Sequence, residues 1–148
     1  MPRLPLLALA AAAIIAATIL LTLALRRALA ARRLAAQMQL AASGEHAAER
    51  FLVAAGFTIV ARQHTLRATM HINGRVAEYD VRADFLVERS TPGGPELALV
   101  EVKTGDAADP RTPATRRQLR EYAALYDIDR LYLFDASANR LHEIEFPC

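Results

Sequence analysis

Asp84, Glu101 and Lys103 are the residues of this 148-residue chain whose types and spacing could do chemistry. Leu97, Ala98, Leu99, Val100 and Val102 read as a buried β-strand, and side-chain alternation puts Leu97, Leu99, Glu101 and Lys103 on one face of it. Burying ions is costly unless they are paired or put to use. Glu101 and Lys103 close the strand at its C-terminal end, the edge of an α/β sheet where ligands usually bind. Asp84, in "RADFLV", lies on the preceding strand and falls beside Glu101 in the right hairpin register. Asp80 shares its strand face, but Asp84 needs only the turn as an insertion before Glu101. Two adjacent carboxylates repel unless a cation lies between them, and Mg²⁺ favours one or two carboxylates with waters and phosphate oxygens. Lys103 could then hold or polarise an attacking water, or steady charge developing on a phosphate.

The elements that must position these residues follow from pattern. "GEHAAERFLVAAGF" (44–57) reads as a helix with Ala48, Phe51, Leu52 and Ala55 on one face and Gly56 as its stop. The stretch ending at Gly44 reads as a hinge. Residues 57–68 and 76–88 read as strands about a turn at Asn73-Gly74. "RSTPGGPE" reads as a turn and "LALVEVK" as the third strand. Thr112-Pro113 opens a helix to about Tyr126 with Leu119, Tyr122, Ala123 and Tyr126 inward. Residues 130–136 and 140–146 read as two further strands. A helix between the third and fourth strands implies a crossover and a mixed α/β sheet.

Asp84 followed by Glu101-Val102-Lys103 resembles the core of the PD-(D/E)XK nuclease superfamily, over about residues 44–135. The resemblance implies a restriction-endonuclease-like αβββαβ core, matching the order just read. It is nearest to small Holliday-junction-resolvase-like proteins and to nuclease-related (NERD-like) domains that follow a membrane segment. Ala83 stands where many members have Pro. The resemblance implies that Asp84, Glu101 and the Val102 carbonyl hold Mg²⁺ or Mn²⁺. Glu45, or Glu49 one turn on, supplies a helix carboxylate that assists the metal directly or through water. Gln118 helps position Lys103 or the backbone phosphate. The expected activity is phosphodiester hydrolysis in a nucleic acid, with DNA the expected polymer and a homodimer the expected form for cutting both strands. Arg116, Arg117 and Arg120 are candidates either for phosphate contacts or for a solvated helix face. The rival reading is a catalytically inactive adaptor that keeps the fold to bind nucleic acid or protein at a membrane.

The front of the chain is different in kind. Leu4 to Leu25 are 22 consecutive uncharged residues, mostly Ala, Leu and Ile. That length spans a bilayer core and exceeds a usual signal-peptide apolar region, so it favours an uncleaved anchor over a signal peptide or a buried helix. Arg26, Arg27, Arg32 and Arg33 follow it, so the positive-inside rule keeps the rest of the chain in the cytoplasm, at the inner (cytoplasmic) membrane. Residues 1–43 thus read as anchor and stem, and residues 44–148 as the domain. The domain holds 13 Lys/Arg and 16 Asp/Glu, a net charge of −3, which excludes an extended basic nucleic-acid surface and leaves only a local one. A single cysteine, Cys148, excludes an internal disulfide and fits a reducing compartment. The four histidines have no zinc spacing, and Gly93-Gly94 lacks the Lys of a phosphate-binding loop.

Overall fold

A computed structural model describes the backbone of residues 3–147, with the side chains of Leu9 and of residues 14–147. Met1, Pro2 and Cys148, with the side chains of 3–8 and 10–13, lie outside the described residues. The chain divides into two compact units, Met1–Gln39 and Leu40–Cys148. Helix α1 (Arg3–Ala54) begins in the first and ends in the second. Within it, among the described residues, Ile14–Ala54 contains a stretch long and apolar enough to cross a membrane, with none of that stretch buried.

In the second unit, five strands form one mixed sheet in the order β1-β2-β3-β4-β5. They are β1 (Thr58–Ile72), β2 (Arg75–Thr91), β3 (Gly94–Lys103), β4 (Arg130–Asp135) and β5 (Arg140–Glu143). The first three are antiparallel, β3 and β4 are parallel, and β5 returns antiparallel to β4. Helix α2 (Pro113–Leu125) supplies the crossover between β3 and β4, which parallel pairing requires. The αβββαβ order expected from the sequence is the order observed.

Alternation along β3 builds two cores. Leu99 joins Leu119, Tyr122, Leu131 and Leu133 on the α2 side. Ala98 and Val100 join Ala48, Leu52, Phe85 and Phe134 on the α1 side. Pro113 takes the first position of α2, where its missing N–H costs nothing. Gly56, at φ +86°, follows the end of α1.

Three expectations are corrected. Ala41 to Gly44 is helix, without a break in secondary structure. Gly44 is instead a packing residue: it is buried, and a Cβ there would sit 3.3 Å from the Ala136 Cβ and 3.5 Å from the Thr104 Cγ2. The β1–β2 hairpin is longer than its hydrophobic pattern suggested, reaching Ile72 and Arg75 around Asn73 and Gly74, both at positive φ as a tight hairpin turn demands. The Pro-Gly segment is also shorter than a full loop, because β2 and β3 stay paired out to Thr91 and Gly94. Pro95 is tolerated there because β3 pairs with β4 only from Ala98 onward, leaving its N-terminal end an edge.

Candidate functional site

The β2–β3 register sets the centre of the site. Phe85 pairs with Val100, so Asp84 and Glu101 face each other one step past the last ladder pair. The strands part there, and Asp84 Oδ2 accepts the Val102 backbone N–H at 2.8 Å in place of a ladder bond. Glu101 is 3% exposed, and every polar atom of its carboxylate is engaged. Lys103 Nζ lies 2.6 Å from Oε1. The Gln118 amide donates to the same oxygen at 2.9 Å, and the Tyr122 hydroxyl lies 2.8 Å from Oε2.

Helix α2 locks this arrangement. Gln118 and Tyr122 are one turn apart and face the sheet together. The second Gln118 amide hydrogen goes to the Tyr122 oxygen at 2.6 Å. Tyr122 Oη is also 2.6 Å from the Arg82 carbonyl, so its one hydrogen serves two acceptors, on β2 and on Glu101. Tyr126, one turn further, donates to the Val81 carbonyl at 2.8 Å. Two tyrosines therefore satisfy carbonyls of β2 beyond the point where β3 stops pairing with it. Burial pushes the Tyr122 hydroxyl far above its ordinary pKa, and the Glu101 charge adds to this. It stays a neutral donor.

The carboxylates are perturbed in the other sense. Burial raises Glu101, and the Asp84 charge raises it further, against the lowering effect of Lys103. Burial likewise raises Asp84, opposed by its bond from Val102 and by the nearby Lys103 and Arg82. A buried and a half-buried carboxylate held in mutual reach are the arrangement a cation would relieve. The donor set fits a hard divalent cation. Oε1 of Glu101 has both lone pairs taken, but Oε2 keeps one, and Asp84 keeps open positions on each oxygen. Among the described residues no three His, Cys, Asp or Glu side chains gather into a metal-binding group, so the centre would offer a cation two carboxylates, with the Val102 carbonyl, water or substrate oxygens for the remaining positions.

These groups open onto a cleft of about 350 Å³, lined by Glu45, Arg82, Asp84, Glu101, Val102, Lys103 and Gln118 among others. Glu45 is half-buried on its wall. Glu49, the alternative helix carboxylate, is tied to Arg62 of β1 by both guanidinium Nε and Nη2 and does not line the cleft. The close approach at Gly44 brings Glu45 to this edge of the sheet.

The matched family model is described as "Uncharacterised protein family UPF0102" and covers residues 44–142, two thirds of the chain. The chain belongs to that family. UPF0102 is nuclease-like in fold, and the matched span contains Glu45, Asp84, Glu101, Lys103 and Gln118. A solved protein described as "Crystal structure of SSO0001" is similar at 20% identity and a TM-score of 0.43, over 57% of this chain. The similarity covers 40% of that protein's length. No curated protein matches.

The α2 arginines stand apart from the UPF0102 cleft. Arg116, Arg117 and Arg120 are exposed and line none of it. Arg116 donates to the Arg111 carbonyl at 3.2 Å, and Arg120 lies over the Phe146 ring at 5.2 Å. The cation that sequence reasoning overlooked is Arg82, two residues before Asp84, which lines the cleft and forms no salt bridge among the described residues. Its only sequence signal is proximity to Asp84. The Tyr122 ring is buried in the core, as its place on the inward face of α2 predicts, but its hydroxyl also engages Glu101.

Proposed function

We propose that this chain is a metal-dependent nuclease that hydrolyses phosphodiester bonds, held at a membrane by α1 with its domain in the cytoplasm. The observation that carries the reading is the convergence, at one sheet edge, of a buried and a half-buried carboxylate with open lone pairs and a lysine in contact with the buried one. Asp84, Glu101 and the Val102 carbonyl would hold Mg²⁺ or Mn²⁺, with Glu45 reaching it through water from the cleft wall. When bound, the ion supplies Lewis-acid polarisation and lowers the pKa of its water.

The protein's own residues do the rest. Glu101 fixes Lys103, whose side chain, 26% exposed, lines the cleft to orient a water against the phosphorus. Gln118 and Tyr122 keep Glu101 from swinging, so the ammonium stays where it is needed. Arg82 meets the non-bridging phosphate oxygens through charge-assisted hydrogen bonds. Arg116, Arg117 and Arg120 serve flanking phosphates. DNA is the polymer we assign, cut by a homodimer, in the manner of the Holliday-junction-resolvase-like and NERD-like nucleases.

The test combines two measurements on the full chain in detergent. Calorimetric titration with Mn²⁺ gives one binding event that Asp84→Ala and Glu101→Ala abolish. A panel of single-stranded, double-stranded and four-way-junction DNA, with RNA counterparts, is cleaved with Mg²⁺ and not with a chelator. Metal binding without cleavage of any substrate would sink the activity, and absence of metal binding would favour an adaptor that only retains the fold.

A further inference from the structure

Among the described residues, three other than glycine have a left-handed backbone: Gln63 at φ +51°, Asn73 at +50° and Asn139 at +51°. Asn73 and Asn139 sit in the tight turns before β2 and β5, and Asn is the residue that best tolerates this conformation. Gln63 is neither Asn nor in a turn. It lies inside β1, where the conformation is sterically penalised, yet the strand runs on through it from Thr58 to Ile72.

Its position is specific. Arg62 pairs with Phe85 and His64 with Ala83, so Gln63 falls opposite Asp84, and these two have no ladder pair of their own. A register shift between Ile59 and Ala61 precedes it. The half-buried Gln63 side chain brings its Nε2 to 3.5 Å from Asp84 Oδ1. Asp84 is thereby approached on one oxygen by β1 and held on the other by the Val102 N–H of β3. Strained backbone persists where surrounding structure over-determines it, and it clusters at functional sites.

We infer that Gln63 is a positioning residue: its left-handed backbone turns its amide onto Asp84 Oδ1 and fixes the carboxylate with its open lone pairs toward the cleft. The inference rests on the metal-centre reading above and deepens it.

The experiment is Mn²⁺ calorimetry and thermal melting on the full chain in detergent, for wild type, Gln63→Gly and Gln63→Asn. Both replacements accept a left-handed backbone, and neither can reach Asp84 as Gln does. The melting temperature is expected to hold or rise in Gln63→Gly, while the Mn²⁺ dissociation constant rises about 10-fold or more, the loss typical of a group that orients a metal ligand. A residue with only a structural role would shift melting and leave the Mn²⁺ constant alone. An unchanged constant in either folded variant, with wild type binding normally, overturns the role of Gln63 and leaves the metal centre standing. Absence of Mn²⁺ binding by wild type overturns both.

Discussion

The two ends of β3 each carry a cluster of opposite charges, and they differ in almost every other respect. At the N-terminal end Arg130 is ringed by Glu96 at 3.6 Å, Glu145 at 3.9 Å and Glu143 in direct contact. All four side chains there are at least 36% exposed. At the C-terminal end Glu101 and Lys103 are 4% and 26% exposed, with Asp84 beside them and two α2 side chains bonded to Glu101. Exposed ion pairs are screened and contribute little. Buried ones are costly and are kept for a reason other than stability. Burial and pairing distinguish the two ends of β3 without reference to motif.

The sharpest way to break it is to remove the lysine. Lys103→Met keeps the aliphatic stem and deletes the charge. It should lower cleavage by about 10²–10⁴-fold, the range for a group that moves or positions a proton. Circular dichroism should show the fold intact. Cleavage at the wild-type rate would make the Glu101–Lys103 pair as ornamental as the cluster at the other end.

Arg82 tests whether the cleft, rather than the α2 surface, grips phosphate. Arg82→Ala should weaken binding of a labelled DNA duplex, measured with Ca²⁺ in place of Mg²⁺. It should also flatten the plot of log affinity against log salt by about one unit of slope. Arg120→Ala should alter the slope less, since Arg120 lies outside the cleft, against Phe146. The reverse order would return the phosphate site to α2.

Tyr122→Phe sharpens the comparison on the stability side. It leaves the Arg82 carbonyl and Glu101 Oε2 each short of a partner in a buried place. The cost should be about 1–3 kcal/mol in denaturant titration. A neutral result would mean that water replaces the hydroxyl and that α2 does not lock the site.

How much of this was legible in the sequence depends on which interactions are local. Strand and helix order was readable because Leu97 to Val102 alternate and Leu119, Tyr122 and Tyr126 recur at helical spacing. The facing of Asp84 and Glu101 was readable because a hairpin fixes register. Gly44 misled because a glycine after Ala-Ala-Ser imitates a hinge, whereas its reason, Ala136 and Thr104 close by, is tertiary. Glu45 and Glu49 were indistinguishable until Arg62 was placed beside one of them. Arg116, Arg117 and Arg120 attracted attention as a cluster, while Arg82 was hidden as one polar residue of an alternating strand. Gln63 carried no signal, because alternation does not report the sign of φ.

A pH experiment probes the same buried end more gently. The folded-state pKa of Asp84 is raised, chiefly by burial. Its ionisation therefore penalises the metal-free fold once the pH exceeds that raised value. The penalty fades as pH falls toward the ordinary carboxylate value of 3.8, where unfolded chains also take up the proton. Asp84→Asn has no such charge and can still accept the Val102 N–H. In a chelator, its melting temperature should exceed that of wild type at neutral pH, with the gap closing on acidification. A gap independent of pH would show that Asp84 is not strained by its charge.

The smallest effect belongs to the exposed end. Arg130→Ala removes the hub of three carboxylate contacts, yet each partner simply returns to water. Melting temperature, Mn²⁺ binding and cleavage should all stay at wild-type values, at low salt and at high. The strand does not depend on the side chain, since Ala98 and Arg130 pair through the backbone, and the Asp129 carboxylate independently accepts the Leu97 N–H at 2.7 Å. A salt-dependent loss of stability in Arg130→Ala would mean that charge alone does not distinguish the two ends of β3. The distinction would then rest only on which end opens onto a cleft with unfilled oxygen lone pairs.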